Sequence, residues 1–147
     1  MSYAINRSAR HEYEILQTFE GGLMLSGAEV KSIRAGNTSL KGAFLRIENG
    51  ELFLKNMHIG HYLPAGQPKD GADTRTGRKV LVSKKELGYL RGKQDAERLT
   101  IVPLSLYNRR GLVKVEFALA RGKKAHEKRD ALKKRDVERE IRANMHE

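Results

Sequence analysis

The pattern of apolar and polar positions divides most of the chain into short segments typical of β-strands, separated by turn residues. Apolar residues at 44–47 lead into Asn49-Gly50, and further apolar residues follow at 52–54. Asn-Gly is the strongest two-residue signal for a type I′ turn, so this stretch predicts a β-hairpin. Three more strands are predicted in the apolar stretches 80–82, 99–106 and 112–119. The first should be a short buried strand, and a turn at 108–111 joins the other two.

Glycines interrupt the alternating segment near the start of the chain. Tyr13, Ile15 and Phe19 occupy alternate positions, and Gly21-Gly22 follow them. The alternation has the period of a strand, and paired glycines are typical of a turn or a β-bulge. The stretch 12–25 therefore predicts two strands that meet at a glycine turn or bulge.

Two short helices are predicted from their capping residues. Ser26 and Glu29 have the spacing of a capping box, as do Ser83 and Glu86. Gly36 supplies a left-handed stop, so the first helix should span about two turns. Between these helices, residues 64–78 are rich in Gly and Pro and predict a long flexible loop.

This order of elements predicts a mainly β fold with short flanking helices. Closure into a barrel is the usual way for such a domain to remove its sheet edges. We therefore expect residues 1–120 to form an OB-like antiparallel β-barrel, with residues 121–147 as a separate tail.

Composition narrows the class of protein and of partner. The chain of 147 residues has 29 Lys and Arg against 18 Asp and Glu, a formal charge of +11, and no Cys. Without Cys there is no disulfide scaffold, thiolate zinc site or thiol nucleophile. No apolar run is long enough to span a bilayer, and the first residues lack the apolar stretch of a secretory signal. We expect a cytoplasmic protein with an anionic partner and no membrane.

The C-terminal tail carries a large share of this charge. Residues 121–147 contain 10 basic and 6 acidic side chains, and Val137, Ile141 and Met145 are spaced along one helical face. Such a segment buries too little apolar surface to order itself, yet its residues favour a helix. We interpret it as disordered when free and helical on a partner; a solvated tail that only maintains solubility is the alternative.

The sequence offers little for catalysis and more for RNA binding. His58 and His61 would face opposite sides of a strand, which argues against a metal site, and no phosphate loop or nucleophile elbow is present. Glu20 and Glu29 could meet only through the fold. Basic residues lie close to aromatic ones, as in Tyr107-Asn108-Arg109-Arg110. Core packing is nevertheless the favoured role of five aromatic side chains, those of Tyr13, Phe19, Phe44, Phe53 and Phe117.

Several ordered motifs resemble one family. They are Asn6–Tyr13, Phe19–Leu23, Gly27–Gly36, Pro103–Tyr107 and Gly122–Arg129. Through them nearly the whole chain resembles small protein B, the tmRNA-binding (SsrA-binding) family of bacterial trans-translation. Two departures are Glu127, where Asp is common, and Ala28, where a bulky residue is common.

The resemblance implies an adaptor without catalytic activity or cofactor. It would bind the tRNA-like domain of tmRNA, deliver it with elongation factor Tu to stalled ribosomes, and act as a monomer. Its tail would probe the decoding centre and the empty mRNA channel of the small subunit, formed by ribosomal RNA. Matching positions imply tmRNA contacts at Arg10, His11, Glu20, Lys31, Arg34, Leu81 and Lys114, and decoding-centre contacts at Lys123, Lys124, His126, Lys128 and Arg129.

Two other functions remain open on the residues alone. One is a ribosomal or translation-factor OB protein that binds ribosomal RNA without tmRNA. The other is an RNA-processing enzyme.

Overall fold

The computed structural model describes residues 2–61 and 77–123. Within these ranges the chain forms nine strands and three short helices. The strands are β1 (Ser2–Ile5), β2 (Tyr13–Leu23), β3 (Thr38–Ser39), β4 (Phe44–Glu48), β5 (Glu51–Lys55), β6 (His58–Ile59), β7 (Arg78–Leu81), β8 (Thr100–Arg109) and β9 (Leu112–Gly122). The helices are α1 (Ala9–Glu12), α2 (Gly27–Arg34) and α3 (Lys84–Glu97).

Six of the strands close into an antiparallel barrel. The sheet runs in the order β1-β8-β4-β5-β7-β2-β9, and β8 also pairs with β9 along its whole length. The ring is completed where Leu45 of β4 pairs with Ile101 of β8, and β1 pairs with the same edge of β8 farther along. Closure satisfies the backbone groups that open sheet edges would expose. The expected OB-like antiparallel barrel with short flanking helices is confirmed.

The hydrophobic core fills the barrel, and a smaller core lies outside it. Along β9, Val115 and Phe117 are fully buried inside the barrel, while Lys114 points to the outer face. On the outer face of β8 and β9, Ala118 packs with Ala9 of α1 in a second apolar cluster. The outer face of β9 is therefore buried at the end that α1 covers, around Ala118, and open at the other end, around Lys114.

The predicted turns and the first of the two capping boxes are present, whereas the second is only half formed, with Ser83 accepting from the Glu86 N–H. Asn49 and Gly50 have φ of 51° and 74°, as a type I′ turn requires, and β4 and β5 form the predicted hairpin. Ser26 and Glu29 form the complete capping box of α2, which spans eight residues. Gly36 follows that helix at φ 85°, in the left-handed conformation.

The predicted break at Gly21-Gly22 is wrong. β2 is one strand of 11 residues, and both glycines pair with β9. The irregularity in the register lies earlier, between Ile15 and Gln17. A Cβ on Gly21 would come 2.6 Å from Cγ1 of Val80, so glycine is needed here for close packing and not for a turn.

Three other sequence-based expectations change. The predicted loop 64–78 extends too far, because β7 already begins at Arg78; residues 62–76 lie outside the described residues. Leu81, expected in a buried strand, is 50% exposed at the end of β7, and Phe44, expected in the core, is 40% exposed. The tail from residue 124 onward also lies outside the described residues.

No helix in residues 2–61 and 77–123 is both long enough and apolar enough to span a bilayer.

Candidate nucleic-acid interface

Four adjacent strands place a row of residues on the outer face of the barrel. Leu81 pairs with Gly22, Gly22 pairs with Lys114, and Lys114 pairs with Tyr107. Paired residues on neighbouring strands point to the same face of a sheet. A Cβ on Gly22 would lie 3.6 Å from Nζ of Lys114 and 3.8 Å from Cβ of Leu81. The two side chains therefore flank a strip of bare backbone.

Glu20 stands two residues earlier on β2 and hence on the same face. Its Oε2 accepts hydrogen bonds from the Tyr107 hydroxyl and from Nη1 of Arg109, the latter at 2.8 Å. The Tyr107 hydrogen bond, opposed in part by burial and reinforced by Arg109, lowers the pKa of Glu20 below its usual value. Burial and the same hydrogen bond raise the pKa of Tyr107. At neutral pH this is a carboxylate held by a neutral phenol and a guanidinium.

Helix α2 brings two cations to this end of the barrel. Nη2 of Arg34 donates to the carbonyl of Gly111 at 2.9 Å, which fastens the helix to the β8–β9 turn. Lys31 lies three residues earlier in the exposed part of the same helix. Since residues three apart share a helix face, Lys31 lies on the same side of α2 as Arg34.

Together these residues form a surface that we call the hairpin face. Its members are Glu20, Lys31, Arg34, Leu81, Tyr107, Arg109, Arg110, Leu112 and Lys114. Five of them are cations and one is a carboxylate, and shallow concavities lie between them. Leu81 and Leu112 are 50% and 60% exposed. Cations suit phosphates, exposed leucines suit the faces of unpaired bases, and a carboxylate accepts hydrogen bonds from nucleosides.

Arg10 and His11 lie at the opposite end of β2. They belong to α1, and Nζ of Lys123 donates to the carbonyl of Arg10 at 3.1 Å. Tyr13, next to them, pairs with Gly122, whereas Lys114 pairs with Gly22 at the other end of the strand. Nine residues of extended strand span about 30 Å at about 3.3 Å per residue. Nδ1 of His11 is buried with no hydrogen-bond partner among the described residues.

The implied tmRNA residues therefore form two groups. Glu20, Lys31, Arg34, Leu81 and Lys114 gather at the hairpin face, and Arg10 and His11 lie with Lys123 at the other end. Of the implied decoding-centre residues, Lys124, His126, Lys128 and Arg129 lie outside the described residues.

Sequence reasoning missed part of the hairpin face. In the sequence, Tyr107 is an aromatic residue close to the basic pair Arg109-Arg110. Only the fold shows that Tyr107 and Arg109 bind Glu20. Leu112 carried no signal beyond its place at the start of a predicted strand. Its exposure follows from its position directly after the tight turn at Gly111.

Glu20 and Glu29, which could have met through the fold, instead have separate partners. Glu29 binds Nε of Arg78 at 2.9 Å, whereas Glu20 binds Tyr107 and Arg109. In residues 2–61 and 77–123, no group of three or more potential metal ligands comes together.

Comparisons with known proteins agree with this geometry. The family model for the SmpB protein matches residues 3–147. The SsrA-binding protein of Coprothermobacter proteolyticus is 49% identical over 140 residues, which are 95% of this chain and 93% of the relative. That of Persephonella marina is 46% identical over 138 residues, which are 94% of this chain and 90% of the relative.

A solved structure is also similar. It comes from work on "tmRNA-SmpB: a journey to the center of the bacterial ribosome", and it superposes with a TM-score of 0.65 at 50% sequence identity. The match covers 82% of this chain and 84% of the other. With a family model that spans almost every residue and relatives nearly half identical, the chain belongs to the SmpB protein family.

Proposed function

We propose that this protein is a tmRNA-binding adaptor of trans-translation, which binds the tRNA-like domain of tmRNA and acts with it on stalled ribosomes. The observation that carries the proposal is the 50% identity to an SmpB chain whose structure is described together with tmRNA and the bacterial ribosome. The relatives named as SsrA-binding proteins support it. Such an adaptor needs a folded surface for structured RNA, and the hairpin face has the composition of one.

Within this function the hairpin face is the proposed tmRNA surface. Lys31, Arg34 and Lys114 would neutralise phosphates, and Leu81 would pack on an unpaired base. Because the side chains are fixed on a closed barrel and on a helix tied to it, they would recognise the shape of an RNA more than its sequence. Arg10 and His11 would form a second contact at the far end of β2.

The remaining contacts of the proposal concern the ribosome. The C-terminal tail, through Lys123, Lys124, His126, Lys128 and Arg129, would bind the decoding centre and the empty mRNA channel. Elongation factor Tu would accompany the complex during delivery, and the protein would act in the cytoplasm as a monomer, without catalysis of its own.

Comparative RNA binding tests the proposal directly. Labelled tmRNA, an ordinary tRNA and a ribosomal RNA fragment of similar length are titrated with the protein at one fixed salt concentration. We expect clear preference for tmRNA; equal affinity for all three would favour the alternative of a general ribosomal-RNA binder. Reproducible cleavage of any of the RNAs would favour the alternative of an RNA-processing enzyme.

A charge-matched pair of variants locates the surface. Lys114→Ala removes a cation from the hairpin face, and Lys93→Ala removes one from α3, where Lys93 pairs with Glu97. We expect the first to weaken tmRNA binding and the second to leave it nearly unchanged. Equal effects would mean that only net charge matters.

Truncation separates the roles of barrel and tail. A stop after Ala120 would remove the pairings of Arg121 with Glu14 and of Gly122 with Tyr13. A stop after Lys123 preserves them, so it is the sharper test. We expect this shortened chain to retain most of its tmRNA affinity and to lose peptide tagging on stalled ribosomes. Loss of tmRNA affinity would contradict the division of labour.

A further inference from the structure

We propose that Tyr107 and Arg109 are positioning residues, which hold one oxygen of Glu20 so that the other is presented to a hydrogen-bond donor on the RNA. The inference rests on the proposed function, because it assigns roles within the same surface. Neither Tyr107 nor Arg109 is among the tmRNA contacts that the resemblance implies, although Tyr107 ends one of the matching motifs.

The hydrogen bonds of Glu20 are one-sided. The Tyr107 hydroxyl and Nη1 of Arg109 both donate to Oε2. Among the described residues, Oε1 receives no hydrogen bond. Two partners from the same strand, β8, thus fix the carboxylate and leave one oxygen as an acceptor.

The charges around Glu20 explain how a carboxylate fits a phosphate-binding surface. Arg109 lies at 2.8 Å from it, and the charge of Lys114 also acts on it. These cations offset its repulsion of phosphates. Arg110 and Leu112 line the same concavity, which gives a nucleotide room to approach.

The free oxygen selects a chemical class of ligand. A carboxylate can only accept hydrogen bonds, and phosphate oxygens have nothing to donate. Unpaired nucleosides do have donors, namely the exocyclic amino groups of their bases and the ribose 2′-hydroxyl. Glu20 would therefore recognise a nucleoside donor, while the cations beside it bind the backbone.

A double-mutant cycle tests the positioning role. The variants are Tyr107→Phe, which keeps the ring, Glu20→Gln, and the two combined. Each single change should weaken tmRNA binding by about tenfold or more, as expected for hydrogen bonds to charged groups. The combination should be no weaker than Glu20→Gln alone, because Tyr107 acts through Glu20. Additive losses, or wild-type binding by Tyr107→Phe, would overturn the inference.

An unrelated RNA supplies the control for charge. Removal of a negative charge alone should strengthen binding to any RNA, since repulsion of phosphates is lost. Glu20→Gln should therefore bind a ribosomal RNA fragment as well as or better than wild type, yet bind tmRNA more weakly. Weaker binding to both RNAs would indicate damage to the fold and would contradict the proposed role.

The pH profile separates positioning from a structural effect. With Tyr107 in place, the pKa of Glu20 is lowered, so its contribution to tmRNA binding should persist to a pH below the usual pKa range of a carboxyl group. In Tyr107→Phe this contribution, measured against Glu20→Gln at each pH, should disappear at a higher pH. Coincident profiles would overturn the inference.

Modified RNAs identify the donor. tmRNA transcripts are prepared with random 2′-deoxynucleotides or with bases that lack the exocyclic amino group, and bound molecules are mapped. At one nucleotide, a modification should weaken binding to the wild type but not to Glu20→Gln. A 2′-deoxy modification with this effect identifies the ribose as the hydrogen-bond donor, and a missing amino group identifies the base. Absence of any such position would overturn the inference. Failure of wild type to prefer tmRNA would instead refute the proposed function, and this inference with it.

Discussion

The two adjacent glycines of β2 allow a sharp test of the fold, because they have opposite surroundings. Gly21 is buried, and its missing Cβ would lie 2.6 Å from Cγ1 of Val80, 3.2 Å from the carbonyl oxygen of Leu81 and 3.2 Å from Cγ1 of Val82. Gly22 has neighbours only at 3.6 Å and beyond. Gly21→Ala should destabilise the protein, and Gly22→Ala is its matched control.

The magnitude follows from the overlap. Carbon atoms pack at about 3.5–4.0 Å, so the new methyl would overlap Val80 by about 1 Å. Val80 is 2% exposed and belongs to the core, so it cannot simply turn away. Overpacking of a core costs about 1–3 kcal/mol, and the reduced entropy of the unfolded chain returns about 0.4–1 kcal/mol. We expect Gly21→Ala to lose about 1–2 kcal/mol of unfolding free energy.

Denaturant unfolding of both variants and of the wild type measures this difference. For a domain of this size the loss corresponds to about 4–8 °C in Tm. Gly22→Ala should lie within about 0.5 kcal/mol of the wild type, because its contacts are ordinary and its side chain would face outward. Equal stability of the two variants would refute the packing of β2 against β7 described above.

Three further outcomes are expected. Arg78→Met should lower the free energy of unfolding by about 1–3 kcal/mol, measured by denaturant unfolding, because the buried Arg78 donates to Glu29 and to the carbonyl of Met57. The loss stays below that of a fully buried ion pair, since the Glu29 side chain is 28% exposed. The hydrogen bond from Tyr107 lowers the pKa of Glu20, so the contribution of Glu20 to stability is present above its unfolded pKa and is lost as the pH falls through its folded pKa. The difference in unfolding free energy between Glu20→Gln and wild type, measured by denaturant unfolding at each pH, should therefore shrink as the pH falls through the folded pKa of Glu20. The tmRNA affinity should fall steeply and linearly on a log–log plot of affinity against salt, as filter binding can show.

Local chemistry made most of the fold predictable from the sequence. Asn49-Gly50 and the Ser26 capping box act through residues within four positions of each other, and both formed as predicted. The break predicted at Gly21-Gly22 did not form, because a glycine in a strand is compatible with a turn, a bulge or a close approach of another backbone or side chain. Here the decisive neighbour is Val80, about sixty residues away in sequence.

The candidate site was predictable only in part, for the same physical reason. The family resemblance implied Glu20 and Lys114 as contacts. Glu20, however, obtains its partners from Tyr107 and Arg109, whose side chains reach it only in the folded barrel. Sequence likewise grouped Arg10 with Glu20 as one set. The strand between them places them at opposite ends of the barrel.

That separation constrains how the protein can engage RNA. β2 pairs with β9 from Tyr13 to Gly22 and belongs to a closed ring, so the distance of about 30 Å between its ends cannot be adjusted by side-chain motion. An RNA that touches both ends must itself reach about 30 Å, and a fragment shorter than this could contact only one of them. Lys123 is hydrogen-bonded beside Arg10, so the chain beyond it starts from the end opposite the hairpin face. In the proposed function the barrel would therefore act as a rigid spacer, with the tmRNA surface at one end and the origin of the ribosome-binding tail at the other.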